Sequence, residues 1–425
     1  MQPILGWASA LLLTTAFIAM LRPIASHTGL VDRPSTRKHH TGNVPLVGGI
    51  AIALALLATL GLSDGVSNGP GLLCAGLSVV AIGIWDDVHK ISSGLRLIVQ
   101  SLSVLVLALM CDALIENLGN LGLGGELLEL GWFALPFTIF AGVGVINAIN
   151  MSDGMDGLCG TLSLAALTGL GLMAALDGRQ QEFLIAAVLG GAILGFLAFN
   201  FRVPGRPQAK AFLGDGGSYL VGILLVYLTI RLSQGDSPAM SPVTALWFIM
   251  VPLLDTVGMI LRRLNKGRSP FSADREHLHH VFLLARFTVT ETVLVIGLVA
   301  LIGVAIGVGG FYLGVPESLL LAGFLAIGIG YYWMVMRAWK VMRFLSRSIN
   351  RRLGREDRRK IADRRRADNP AVLATVGRER RSGFDRRRGE KDRRSTLSQP
   401  MGTAALQHRD LPAGGQARKR TEQAG

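Results

Sequence analysis

An all-α polytopic membrane fold is predicted for this chain by three observations. Half of its 425 residues are hydrophobic and only 17% are charged, and the mean hydropathy is +0.44, a balance outside that of ordinary soluble domains. Eleven apolar stretches, each long enough to cross ~30 Å of hydrocarbon, recur between residues 4 and 336. The positive charge is confined to one end. Of the 43 Lys and Arg, 26 lie in residues 337–425, with 10 of the 29 Asp and Glu, so the rest of the chain carries 17 basic and 19 acidic residues and is close to neutral.

The spans are expected near residues 4–21, 46–63, 70–85, 95–112, 132–149, 158–176, 183–201, 216–233, 242–261, 292–313 and 318–336. The third and eighth are short or Gly-rich, so ten or eleven is the expected number. The first has no Lys or Arg before it, where a signal peptide would have a basic start, and reads as a retained span with its N-terminus outside. Residues 1–337 are then a transmembrane domain and 338–425 a separate basic tail. Cys74, Cys111 and Cys159 form no C-x-x-C pair and no disulfide framework.

Loop charge orients the spans, because basic residues stay on the cytoplasmic side. With the N-terminus outside, the inner loops hold Arg33, Arg37, Lys38, Lys90, Arg202, Arg206, Lys210, Arg262, Arg263, Lys266, Arg268, Arg275 and Arg286, while the outer ones hold mainly Asp and Glu. The seven histidines of this region, His27, His39, His40, His89, His277, His279 and His280, also fall on the inner side. So do Asp86, Asp87, Asp153, Asp156 and Asp215. Insertion does not require that second asymmetry. It suggests a site for a charged substrate at the cytoplasmic interface, whereas a transporter would place ionisable groups near the midplane.

Four motifs carry chemistry. Trp85-Asp86-Asp87-Val88-His89-Lys90 closes the third span with two carboxylates and a cation that one helical turn lets reach back to either; a helix end with one ion pair is the alternative. The segment Asn147 to Leu158 holds Asn147, Asn150, Asp153 and Asp156, with glycine after each aspartate. A simple connection needs neither the amides nor the paired carboxylates, and glycine permits close approach to a ligand. Phe212-Leu213-Gly214-Asp215-Gly216-Gly217-Ser218 opens the eighth span. Asp215 there is either a helix cap or a ligand in company with the other aspartates. Carboxylates ~4 Å apart repel by about 4 kcal/mol at an effective dielectric of 20, so their convergence calls for a proton or a hard cation, Mg²⁺ or Mn²⁺.

The fourth motif runs from Arg262 and Arg263 through Lys266, Arg268 and Asp274 to His277-Leu278-His279-His280. Its spacing matches no usual zinc motif, whereas Arg and His donors suit phosphoryl oxygens. A merely positive-inside loop is the alternative, as it is for Arg37-Lys38-His39-His40. Asp255 lies inside the ninth span, after Pro252, at a cost of ~2.5 to 3.5 kcal/mol on insertion scales. It is expected to face the bundle.

Taken in order over residues 25–290, P-L-V-G-G, D-D-x-x-K, N-x-x-N-x-x-D-G-x-D-G, F-L-G-D-x-G-S and the long Arg/His loop resemble the polyprenyl-phosphate N-acetylhexosamine-1-phosphate transferase family, glycosyltransferase family 4. The phospho-MurNAc-pentapeptide transferase branch usually carries three consecutive histidines. The sequence H-L-H-H is instead similar to the WecA-like branch, which makes undecaprenyl-diphospho-N-acetylglucosamine.

The resemblance implies Mg²⁺-dependent transfer of N-acetylhexosamine-1-phosphate from a UDP-sugar to undecaprenyl phosphate, with release of UMP. The product would start a lipid-linked cell-envelope glycan such as an O-antigen, a teichoic acid or an exopolysaccharide. It implies Asp215 as leading metal ligand, with Asp153, and Asp86 on the lipid phosphate, with Asp87 beside it. Asp153, Asp156, Asn147 and Asn150 would hold nucleotide and sugar. His277, His279 and His280 would hold diphosphate or sugar, with Lys90, Arg263 and Arg268 as further substrate contacts.

The tail repeats Asp-Arg-Arg at residues 357, 363, 385 and 392 and cannot bury a core, so disorder is expected. Anionic head groups would attract it by ~1 kcal/mol per basic residue. Its lack of interleaved aromatics disfavours nucleic acid.

Overall fold

The computed structural model describes residues 2–32, 42–61, 67–122, 124–267, 269 and 277–337. The tail beyond 337, Arg268 and the basic stretch 33–41 lie outside them. Helices α1 (Pro3–Thr28), α2 (Gly48–Leu60), α3 (Gly69–His89), α4 (Ser93–Met110), α5 (Ala134–Met151), α6 (Leu158–Leu176), α7 (Gln180–Asn200) and α8 (Gly214–Ser233) are followed by α9 (Pro242–Phe248), α10 (Met250–Asn265), α11 (Leu278–Leu284), α12 (Val289–Tyr312) and α13 (Glu317–Met336). The only sheet among the described residues is a two-residue antiparallel ladder, Val31–Asp32 with Val44–Pro45.

Every expected span is met by a helix, and nine of the described helices are long and apolar enough to cross a membrane, ten if α9 and α10 count as one bent span. The shortfall lies elsewhere than expected, since α3 and α8 are full length. Helix α2 has 13 residues, about 20 Å at 1.5 Å per residue, too short for the hydrocarbon. Its start is set late, because the N–H groups of Gly48 and Gly49 donate to the Phe212 and Leu213 carbonyls at 2.9 and 2.8 Å. The ninth span breaks at Ile249 with an 84° bend between α9 and α10. Pro252 sits in the first turn of α10 and has no N–H to donate backward to Phe248, so a continuous helix would lose that bond.

Helix α8 is the axis of the bundle. Its apolar window is 89% buried, against 17% for α13, and it packs on α2, α3, α5 and α6. Two of these contacts are backbone to backbone. A Cβ on Gly83 of α3 would stand 2.2 Å from the Gly216 nitrogen, and one on Gly49 of α2 would stand 2.4 Å from the Gly217 Cα. Both contacts lie in the first turn of α8, so α2 and α3 are drawn tightest where Asp215 sits.

Candidate active site

Three chain reversals meet at this end of the bundle. Helix α3 arrives with Asp86 and Asp87, α5 arrives with Asn150 and the 3-10 turn Ser152–Gly154, and α8 departs from Gly214. The two adjacent carboxylates of α3 face different helices, as the 100° turn per residue requires. Asp86 is buried. Its Oδ2 lies 2.7 Å from Arg96 Nη1 in the first turn of α4, and its Oδ1 accepts the Ile91 N–H at 2.9 Å. Arg96 is held in turn by Ser93 Oγ at 3.0 Å.

The cation on Asp86 is therefore Arg96, and the expectation that Lys90 reaches back to the aspartates is corrected. Lys90 ends α3 in the left-handed conformation at φ 51°. That turn carries its side chain off the helix face and into solvent.

Asp87 lies against the start of α8, where the Asp215 N–H stands 3.1 and 3.3 Å from its two oxygens. Gly214 has φ +76°, and a Cβ there would meet Asp87 Oδ2 at 2.6 Å. Only glycine supplies both the turn and the space. A carboxylate from α3 thus serves the N-terminal dipole of α8, which leaves the side chain of Asp215 for other partners.

Asp215 Oδ1 accepts from Asn150 Nδ2 at 2.8 Å, and the same amide reaches Ser218 Oγ at 2.9 Å. The Asp86 and Asp215 carboxylates adjoin. Asp153, half-buried on the 3-10 turn, has Asp215, Asp87 and Asp156 as its charged neighbours.

The remaining candidates divide. Asp156 is tied to Arg202 Nε at 2.7 Å and accepts the Ala209 N–H at 3.3 Å, so it fastens the loop after α7 to the aspartate segment. Asn147 donates to Gln100 Oε1 on α4 at 2.7 Å and to the Val143 carbonyl, joining α4 to α5. Arg263 is buried near the end of α10.

His279 is 2% exposed, and its Nε2 is buried without a hydrogen-bond partner. That atom points at Gly154, where a Cβ would stand 2.9 Å away. His277 stacks on it with ring centroids 5.7 Å apart and planes 5° apart, and the His280 ring centroid is 4.3 Å away. Burial, then the neighbouring His280 and His277, push the His279 imidazole down to about 3. It is neutral at physiological pH, and its Nε2 keeps an unused hydrogen-bonding capacity.

An acid test follows. An unfolded histidine titrates at its ordinary value, so between about 6.5 and about 3 the unfolded chain binds the extra proton. Stability contributed here is present above that window and is lost as pH falls through it. His279→Gln is expected to flatten the fall in thermal midpoint between pH 7 and pH 5; an unchanged slope would refute the assignment.

Several of these partners lay beyond the sequence reading. Arg96 and Gln100 come from a neighbouring helix, and Arg202, read in the sequence only as an inner-loop charge, proves to be the partner of Asp156. Asn200 was not singled out either, yet it clamps two motifs together. Its Oδ1 accepts the Gly157 N–H at 2.6 Å and its Nδ2 donates to the Ala211 carbonyl at 2.9 Å.

The oxygen-rich set of Asp87, Asp153 and Asp215 fits a hard divalent cation and suits neither zinc nor copper. Among the described residues, no three such groups close into a ready-made ion cage.

Comparison with known proteins decides the family. Residues 70–233 match the family described as Glycosyl transferase family 4. A protein of Salmonella typhi named undecaprenyl-phosphate alpha-N-acetylglucosaminyl 1-phosphate transferase is 39% identical over 351 residues, covering 82% of this chain and 95% of its own length. The chain belongs to glycosyl transferase family 4. Relatives of the same name in Escherichia coli (strain K12) and Haemophilus influenzae are 39% and 35% identical, covering 82% and 78% of this chain and 94% and 93% of their own lengths. The family match takes in all five aspartates of the cluster, together with Arg96, Asn147 and Asn150. Asp255, His277, His279 and His280 lie beyond it.

Proposed function

We propose that this protein transfers N-acetylglucosamine 1-phosphate from UDP-N-acetylglucosamine to undecaprenyl phosphate and releases UMP. The observation that carries the reading is the carboxylate and amide cluster of Asp86, Asp87, Asn150, Asp153 and Asp215, with the orphaned Nε2 of His279 beside it. The names of the relatives support the donor sugar and the acceptor lipid. The seat is a bacterial inner membrane, with the N-terminus periplasmic and the cluster and basic tail cytoplasmic. The distribution of basic loop residues supports that orientation.

An oxygen of the lipid phosphate forms a bond to the sugar-bearing phosphorus, the bond from that phosphorus to the bridging oxygen breaks, and UMP leaves with the electron pair. A phosphomonoester has a second pKa near ~6, so the nucleophile is largely ionised and positioning matters more than proton removal. The obstacle is an anion approaching a diphosphate. Mg²⁺ held by Asp215 with Asp87 and Asp153 would supply charge neutralisation there. Asn150 fixes the Asp215 carboxylate. Arg96 keeps Asp86 engaged, which favours a placing role for Asp86 over a general-base role. His279 Nε2, neutral and dry, offers one hydrogen bond to the diphosphate or the sugar.

Purified protein is expected to release UMP from UDP-N-acetylglucosamine only when both Mg²⁺ and undecaprenyl phosphate are present. Release without the lipid, or none with it, would overturn the reading.

A further inference from the structure

Asp255 is a carboxylate in the arm of a bent span, just past the break at Ile249, and it is buried. Hydrocarbon makes such a group expensive unless its oxygens are filled, and these are. Oδ2 lies 3.0 Å from Nδ1 of His277. Oδ1 accepts the Leu278 N–H at 3.1 Å and the hydroxyl of Tyr331 on α13. The carboxylate therefore holds the first residue of the histidine segment by its ring, the second by its backbone, and joins both to the last described helix.

This grip extends beyond His277. A ring whose Nδ1 faces a carboxylate has its tautomer and its plane fixed. His279 lies parallel to that plane, with its partnerless Nε2 directed at Gly154 in the aspartate segment. The hydrogen bonds of Asp255 go to His277, Leu278 and Tyr331, and none of them reaches the aspartate cluster.

We propose that Asp255 is a positioning residue of the donor site: acting through His277, it sets the plane and depth of His279 and so the affinity for the nucleotide-sugar diphosphate. The assignment rests on the proposed transfer reaction. In Asp255→Asn, the amide oxygen still accepts from Leu278 and Tyr331, but an NH₂ faces Nδ1 and forces the other tautomer. Asp255→Glu keeps the carboxylate.

The test is the Kd for UDP-N-acetylglucosamine without acceptor, KM for both substrates, and thermal midpoint, measured on the full chain. Asp255→Asn is expected to weaken donor Kd and KM by about 10- to 100-fold, a range taken by analogy from partners that orient metal-ligating histidines, with acceptor KM within about 2-fold and the midpoint near wild type. Asp255→Glu should recover most of the loss. Tyr331→Phe, which removes one bond to the carboxylate and leaves the rings untouched, should weaken donor binding in the same direction by less. In a His277→Ala background, Asp255→Asn should add no more than about 2-fold, because its effect passes through the missing ring.

Equal changes in both KM values, multiplying effects in the double variant, or Glu no better than Asn would overturn the assignment while wild-type turnover stands. Wild-type protein with no lipid-dependent UMP release would overturn the reaction itself, and this assignment with it.

Discussion

Asp215→Asn is expected to lower lipid-dependent UMP release by about 10²- to 10³-fold, the loss typical when one preorganised electrostatic group is removed, with the thermal midpoint almost unchanged. Structure explains why stability should be spared. The helix-capping contact at the start of α8 is made by Asp87, through the Asp215 backbone N–H, and an Asn at 215 can still accept from Asn150 through its amide oxygen. What disappears is the negative charge.

Asp87→Asn should show the complementary pattern, losing activity to a similar degree and also about 1 kcal/mol of stability, because a charged group at a helix N-terminus is removed. Steady-state UMP release at saturating Mg²⁺, with calorimetric midpoints, separates the two. Activity within tenfold of wild type in both variants would dismantle the site.

Arg96→Met is the second large effect expected, and it is expected to reach both stability and turnover. The Asp86 carboxylate would lose its cation and retain the Ile91 N–H. Stripping one partner from a fully buried pair costs about 3 to 5 kcal/mol, but the Arg96 side chain is 30% exposed. Water near the guanidinium discounts the loss to about 1 to 3 kcal/mol. Turnover should fall with it, because Asp86 adjoins Asp215 and an unanchored carboxylate there disturbs the cluster.

Adding Asp86→Asn to Arg96→Met should restore most of the stability, since an uncompensated ion is no longer buried, without restoring activity. Recovery of turnover alongside stability would mean that the pair serves the fold alone.

The motifs were legible because each packs several polar groups beside a long apolar run, a pattern that membrane insertion does not produce. Their internal division of labour was not. Asp86 and Asp87 are adjacent in sequence, yet one turns to α4 and the other to α8. Asn147 and Asn150 lie three apart on α5, near enough to suggest a shared task, but the first is spent on Gln100 and the second on Asp215. The cation expected at Lys90 follows from helical spacing, which holds only while the helix continues; at Lys90 it stops. Arg96, ten residues on, belongs to the next helix, and no periodicity connects it to Asp86. Asp255 stood out as an anomaly of cost, and its partners, at 277, 278 and 331, became visible only in three dimensions. For the spans, hydropathy found each apolar run but could not see that loop bonding shortens α2 or that Pro252 breaks the ninth.

The paired glycines of α2, α3 and α8 have a mechanical consequence. Where one backbone rests on another without side chains between them, a slip of α3 by a single residue would drive the branch of Ile82 or Ile84 into the α8 backbone. Register at this crossing is therefore quantised. The separation of Asp87 from Asp215 is thus set by one backbone seated on another and by the Asp215 N–H that the Asp87 carboxylate accepts.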